Sequence, residues 1–377
     1  MTGPYSFDVV ELPVGFRELG DAWRGLLGAS PADTIFLTPE WMEAWWDAYG
    51  AGRRGLLVRV RRGGALLALV PLQIARERWR GVLAVDTLRF LSDGSFDADY
   101  LDIVSIPGAG EDLVPEFLAW VRARSRLRHD LARWNELPCA SPHAAAFDAA
   151  LTSSGTLIDR ERIGAVVTTF PPTWDAYMAS LKPRMRTKIR TLRRELEAAH
   201  DVRLLRCEDD QSLTERLPSL FELHQRRWAA RGMSGVLGGP RKQAFYGQLS
   251  RSLLRQGWLQ FHSLEVDGAL VAHQFCMGYR GAVYLLQEGY DPAWEKHGVG
   301  NILRAMIFER LIAEGWQRYD FLAGVTDHKR SWAGAVTEGV RITARGPSLR
   351  GTGIALLERA ARAARALRGR GDPGGTP

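Results

Sequence analysis

The segment Glu295-Lys296-His297-Gly298-Val299-Gly300 stands where a strand-like run ends and a helical run begins. Such a junction is a physical solution to holding a pyrophosphate. The first helical turn carries amides without an intrahelical acceptor and the positive end of the helix dipole, and glycine lets an anion approach the backbone. A tight turn uses the same residue types, so the surrounding elements must decide between the two readings. Metal chemistry has little to stand on. Cys139, Cys207 and Cys276 lie far apart, against a disulfide framework or a zinc site, and the histidines form no HExxH pair. No metal is expected. His262 and His273 fall on adjacent expected strands, where histidines are more often packed than catalytic. Cys276 reads as a small buried hydrophobe.

The elements around the glycine loop form the clearest pattern in the chain. Trp258–Val266 reads as a strand, Asp267-Gly268 as a two-residue turn, and Ala269–Tyr279 as the returning strand. Arg280-Gly281 turns again into Ala282–Tyr290, which Asp291-Pro292 ends. After the loop, Ile302, Leu303, Met306, Ile307, Leu311 and Ile312 repeat at helical spacing. Gly315 closes that helix, and Trp316–Leu322 is one more strand. Upstream, Trp174–Leu181 and Arg184–His200 read as helices interrupted at Pro183; Leu217–Arg231 and Arg241–Gln256 read as two more. In the first half, Thr38-Pro39 opens a helix. Gly55–Val60 and Ala65–Pro71 make a hairpin, Leu88–Leu91 and Tyr100–Val104 look like strands, and Leu113–Arg124 is helical.

The order meander, glycine loop, helix, strand resembles the core of the GNAT acyltransferase superfamily. The segments FCMGYRGAVYLLQEGYDPAWEKHGVGNILRAMIFERLIAEGWQRYDFLAG and DHKRSW resemble its BioF2-like or CelD-like branch, which is related to the Fem peptidyltransferases. The resemblance is good over about Trp174–Trp332 and weaker upstream. It implies an α/β fold with a mixed sheet (α+β in arrangement) and tandem GNAT-like domains. Residues 1–160 would be a degenerate copy, 161–345 the acyltransferase domain, and 346–377 a basic amphipathic helix with a disordered tail.

The resemblance also implies roles. Gly298 and Gly300 match the family's loop, with Glu295 where the family has Gln or Arg. The amides of Gly298, Val299, Gly300 and Asn301 would hold the pyrophosphate of acetyl-CoA or another acyl-CoA. The pantetheine arm would lie beside Gln287–Tyr290, where the sheet splays. Glu288 is the implied base for the attacking acceptor, with Tyr290 beside it. Lys329 would neutralise the oxyanion or the leaving thiolate, in a Tyr-Lys-x-x-Trp element in which His328 takes the tyrosine position and Trp332 lies at the substrate. Asp97, Asp99, Tyr100 and Asp102 resemble an Asp-Tyr-x-Asp element that contacts the acceptor. The implied activity is N- or O-acylation of a sugar, sugar nucleotide or polysaccharide precursor. The alternatives are a Fem-like aminoacyltransferase using aminoacyl-tRNA and a non-catalytic regulator.

Composition bounds these readings without choosing among them. The chain has 377 residues, 46% of them hydrophobic and 25% charged, as in soluble globular proteins. No apolar run is long enough to cross a bilayer, and the N-terminus lacks the pattern of a signal peptide, so a cytoplasmic protein is expected. The net charge of +7 concentrates at Lys182–Arg194 and Arg345–Arg370. The first run suits a solvated helix, phosphate contacts or tRNA. The second suits docking on the domain or peripheral contact with an anionic membrane. The polar, small-residue stretch Pro138–Gly155 is the expected domain boundary, with a helical reading open for part of it.

Overall fold

The structure, a computed structural model, describes residues 5–109, 112–233 and 235–369. The chain divides into two compact units. The first comprises Met1–Asp33, Gly52–Arg162 and Gly339–Pro377, and the second Thr34–Ala51 with Ile163–Glu338.

In chain order the strands are β1 (Ser6–Glu11), β2 (Arg54–Arg62), β3 (Ala65–Trp79), β4 (Leu83–Phe90), β5 (Val104–Ser105), β6 (Leu131–Pro138) and β7 (Ile158–Thr169). They continue as β8 (Val202–Arg206), β9 (Leu259–Val266), β10 (Ala269–Tyr279), β11 (Ala282–Tyr290), β12 (Arg318–Ala323) and β13 (Ala335–Arg345). The helices are α1 (Val14–Ala29), α2 (Pro39–Tyr49), α3 (Leu113–Ala123), α4 (Pro142–Ser153), α5 (Trp174–Ser180) and α6 (Pro183–Ala199). After them come α7 (Asp210–Ala229), α8 (Pro240–Arg255), α9 (Val299–Ala313), α10 (Asp327–Arg330) and α11 (Leu349–Gly369).

The two units repeat one plan. In the first, the antiparallel meander β2-β3-β4 leads through α3 to β6, which pairs parallel to β4 over only Thr87–Arg89. In the second, the meander β9-β10-β11 leads through α9 to β12, which pairs parallel to β11 over only Ala282–Tyr284. The strand order is β1-β2-β3-β4-β6-β13 in one and β7-β12-β11-β10-β9-β8 in the other. The expected mixed sheet is therefore present in both halves. The second meander has the expected turns: Asp267 and Gly268 have φ of 50° and 79°, and Arg280 and Gly281 have 49° and 74°. Two successive positive φ values are what a two-residue hairpin turn demands.

The core of the second unit gathers on α9. Phe308 meets the rings of Phe170, Tyr177, Tyr319 and Trp332 at 4.7–5.4 Å between centroids. Thr34–Ala51, expected within the first domain, contributes to this unit as well. Thr38 Oγ1 caps α2 by accepting from Trp41 N at 3.2 Å, and Trp41 packs edge-on against Phe245 of α8. That packing explains why Thr34–Ala51 clusters with the second unit rather than with residues 1–160.

Other expectations shift. Pro138–Gly155 takes the helical alternative and is largely α4, and its Phe147 is buried against Phe90 and Trp134. Of Tyr100–Val104 only Val104 enters a strand, because Tyr100 takes φ of 54°. α11 docks on the first unit through Ile354, which packs with Val85 and Leu131, while Leu356 and Leu357 face outward. The expected disordered tail lies outside the described residues beyond Gly369. No helix among the described residues is long and apolar enough to cross a membrane.

Candidate active site

The pairing of β11 with β12 ends at Tyr284↔Asp320, while β11 continues along β10 to Tyr290. The two parallel strands therefore open into a gap, flanked on one side by Leu285–Tyr290. A bulge at Leu286, between the Phe275↔Gln287 and Cys276↔Leu285 pairs, bends β11 at this point. On the other side β12 is turned away. Leu322 has φ of 59°, and its amide donates to Asp320 Oδ1 at 2.8 Å. Lys329 Nζ donates to the carbonyls of Phe321, Leu322 and Ala323 at 2.8, 3.1 and 2.7 Å. Three carbonyls occupy the three ammonium protons, so Lys329 clamps the strand end and does not fit the expected oxyanion role.

The glycine loop meets the helix next to this gap. Gly298 adopts φ of 67°, and a Cβ there would come within 2.6 Å of Leu192 Cδ1 on α6. Its carbonyl accepts from Asn301 N at 2.8 Å and Ile302 N at 3.1 Å. The Asn301 amide, expected at the pyrophosphate, is thus already engaged. Val299 and Gly300 hold the leading amides of α9, which have no acceptor within the helix. At Gly300 a Cβ would lie 3.5 Å from the Tyr290 ring. Glycine here therefore leaves open space between the ring and the helix start.

A charged network lies against the gap. Arg304 of α9, only 3% exposed, donates to Glu288 Oε2, and Arg227 Nη1 donates to Glu288 Oε1 at 3.2 Å. Burial alone would raise the Glu288 carboxyl, but Arg304 and Arg227 hold it below its ordinary range. A carboxylate so held has little affinity for a proton, which argues against the expected base role. Gln274, with its amide oxygen turned to Arg304, accepts from Nη2 and Nε at 3.2 and 3.3 Å and donates to Tyr319 Oη at 2.9 Å. Arg304 Nη1 also donates to His328 Nε2 at 3.3 Å. Burial, then Arg304, lowers the proton affinity of His328, so it stays neutral at pH 7. Tyr290 accepts from Arg231 at 3.1 Å and donates to Glu295 Oε1 at 2.9 Å; burial and that carboxylate raise its phenol above the ordinary value. Arg227 stacks over the Tyr290 ring at 4.6 Å. Gln287 is half-buried on β11.

Several of these residues were not singled out by the sequence reading. Arg304, Arg227, Gln274 and Tyr319 complete the network. Arg304 carried a usable signal, since it interrupts the apolar face of α9 between Leu303 and Ile307. Trp332, expected at the substrate, is instead fully buried; its carbonyl accepts from Tyr177 Oη and Thr168 Oγ1, each at 2.9 Å. His262 and His273 are fully buried, and burial lowers both to about 3. Among the described residues no cluster could hold a metal ion.

Residues 183–330 match the family profile described as "Acetyltransferase (GNAT) domain". The chain carries a GNAT acyltransferase domain. The gap, the glycine loop and the Arg304 network all lie inside the matched segment. Solved structures similar to the chain include FemX, with a TM-score of 0.61 at 10% identity, covering 89% of this chain and 96% of that one. The C-terminal domain of a putative lysylphosphatidylglycerol synthetase from Agrobacterium fabrum has a TM-score of 0.53 at 10% identity, covering 91% and 96%. A tandem GNAT protein from the clavulanic acid biosynthesis pathway has a TM-score of 0.51 at 14% identity, covering 91% and 100%. At these identities the likeness is one of fold. No curated protein sequence matches the chain.

The expected acceptor-side residues belong to the first unit. Asp99 and Tyr100 are half-buried, and Asp99 lies close enough to Glu136 to raise the latter's carboxyl. Asp97 is buried. Asp102 is 1% exposed and accepts from Ile103 N at 2.7 Å, from Ser141 Oγ at 2.5 Å and from His143 Nδ1 at 2.8 Å. It has no free face for an acceptor, which corrects the expectation for that residue.

Proposed function

We propose that the GNAT domain transfers an acyl group from acyl-CoA, with acetyl-CoA the first donor to test, to an amine or hydroxyl acceptor. The sugar or polysaccharide-precursor acceptor rests on the family resemblance alone. The observation that carries the donor assignment is the opening of β11 from β12 beside the Gly298–Gly300 turn. The free backbone edge at Gln287–Tyr290 matches the amides of a pantetheine arm. The Val299 and Gly300 amides face a pyrophosphate without a competing intrahelical bond. Leu192 places α6 against Gly298, and the exposed Lys188, Arg190 and Arg194 of that helix add positive charge for the phosphates.

In this reading the acceptor attacks the thioester carbonyl, the C–S bond breaks, the leaving thiolate takes a proton, and the proton that the acceptor loses passes through solvent to the group that gave it. Tyr290, kept protonated, is the donor to the thiolate. Glu288 positions Arg227 and Arg304, and Lys329 holds the gap open. A role for Asp99 and Tyr100 toward the acceptor rests on the family resemblance alone. Titration calorimetry with acetyl-CoA tests the proposal. Wild-type protein and Gly300→Ala should bind, while Gly300→Asp should weaken binding by about tenfold or more through charge repulsion at the phosphates. Equal affinities for the Ala and Asp variants would remove the donor site from this loop.

The exposed Arg184, Lys188, Arg190 and Arg194 on α6 favour a second reading, in which charged tRNA is the donor. It requires tRNA binding that weakens steeply with salt. Saturable acetyl-CoA binding without such tRNA binding would set it aside.

A further inference from the structure

The first unit contains a second constellation that acyl transfer at the GNAT loop does not use. Ser105 Oγ lies 3.2 Å from His143 Nε2, and His143 Nδ1 lies 2.8 Å from Asp102 Oδ1. Asp102 is fixed in turn by Ile103 N and by Ser141 Oγ, and Ser141 also caps α4 by accepting from His143 N at 3.1 Å. The bond to Asp102 places the imidazole proton on Nδ1 and leaves the Nε2 lone pair facing the Ser105 hydroxyl. This is the nucleophile, base and orienting-acid order of a hydrolytic triad, recognised by geometry rather than by sequence position.

Ser105 and His143 both line a cavity of 720 Å³. Its other walls are mostly small and apolar, among them Pro31, Val114, Ala145, Ala146 and Ala149. Ser30 Oγ accepts from Ser105 N at 3.3 Å and from Ala32 N at 3.2 Å, so its own proton remains to be donated beside the nucleophile. A polar triad in the wall of an apolar chamber suits a substrate with a reactive carbonyl and a greasy acyl chain.

We propose that Ser105, His143 and Asp102 form a second catalytic site, an esterase centre for short apolar carboxylic esters. Ser105 Oγ attacks the ester carbonyl carbon and its proton passes to His143 Nε2. The carbonyl–alkoxy bond breaks, and His143 returns that proton to the leaving alcohol. Water then attacks the acyl-serine through the same relay, releasing the acid and restoring Ser105. Ester and water give acid and alcohol, with no further reactant. Ser30 donates to the oxyanion.

The test uses the full chain without CoA. Wild-type protein is treated with an alkyl fluorophosphonate, its intact mass measured and the adduct mapped, and p-nitrophenyl butyrate hydrolysis followed in parallel. The expected result is one adduct on Ser105 and hydrolysis that falls roughly 10²-fold or more in Ser105→Ala and His143→Gln, with acetyl-CoA affinity unchanged. Wild-type protein that takes no adduct, takes it elsewhere, or hydrolyses the ester no faster than Ser105→Ala overturns the proposal. The labelling arm needs no variant, so misfolding of a mutant cannot mask the outcome.

Discussion

Arg304 on α9 and Glu288 on β11 form a buried ion pair at the point where β11 parts from β12. The helix that presents the glycine loop is thereby tied to the strand that flanks the gap. Arg304 also lies over the rings of Phe321 and Trp332, at 5.2 and 5.3 Å. The Glu288 carboxylate is the anionic partner of this charge, and the ring faces add a weaker attraction.

Removing one partner should cost more than removing both. Glu288→Ala leaves Arg304 buried and uncompensated, and stability should drop toward the lower end of roughly 3–5 kcal/mol, since water reaches part of Glu288. Replacing both, as in Glu288→Leu with Arg304→Met, should recover much of that loss. Denaturant melts of the two single variants and the double variant measure the coupling directly. Additive losses would mean the pair does not stabilise the fold as a unit.

Lys329 makes a separable prediction. As a clamp on three strand carbonyls it should matter for stability and for donor affinity together. Lys329→Met should lower the melting temperature, by a ΔΔG on the order of 1–3 kcal/mol, and weaken acetyl-CoA binding by loosening the gap. A variant that keeps wild-type stability and affinity while losing turnover would instead restore the oxyanion role.

What the sequence made legible follows from where local rules dominate. The meander, its two tight turns and α9 obey period and turn chemistry strongly enough to be read directly, and the glycine loop comes with them. Lys329 was legible by motif, but its donors go to carbonyls exposed by a left-handed residue at Leu322, which no local pattern reveals. Arg227 reaches Glu288 from a distant helix and Gln274 reaches Arg304 from a neighbouring strand, so only the fold assembles them. Asp102 looked like part of an acidic cluster, whereas its partner His143 sits 41 residues away in a stretch whose alanines resembled a linker. β13 pairs with β6, and β8 with β9, across long stretches of chain, so their place comes from the sheet rather than from a local pattern.

His262 and His273 set one arm of the pH dependence. Burial lowers both to about 3, so the folded state refuses protons that the unfolded chain accepts below about 6.5. His273 is wedged between the hydroxyls of Ser263 and Ser219, at 2.8 and 2.9 Å, and gains nothing from a charge. Stability should therefore fall as pH drops from about 6.5 toward 3, by roughly 1 kcal/mol per pH unit per histidine. Imidazole resonances that titrate near 6.5 in the folded protein would contradict this.

Glu136 in the first unit works in the opposite direction. Its side chain is 9% exposed, its backbone is held at φ of 59°, and Oε2 has no hydrogen-bond partner. Burial, then the negative charge of Asp99, pushes its carboxyl up to about 7, despite the bond from Arg341 Nε to Oε1 at 2.7 Å. The folded state thus holds a proton that the unfolded chain releases at about 4.5. Stability from this group is intact below about 4.5 and is lost as pH rises through about 7. Glu136→Gln keeps the shape and removes the titration. At pH 8 it should stabilise the protein by on the order of 2 kcal/mol, less whatever Arg341 loses in pairing. At pH 4.5 it should change little. Denaturation curves of both proteins from pH 4.5 to 8 give the difference directly, and parallel curves would show that Glu136 ionises as freely in the fold as in water.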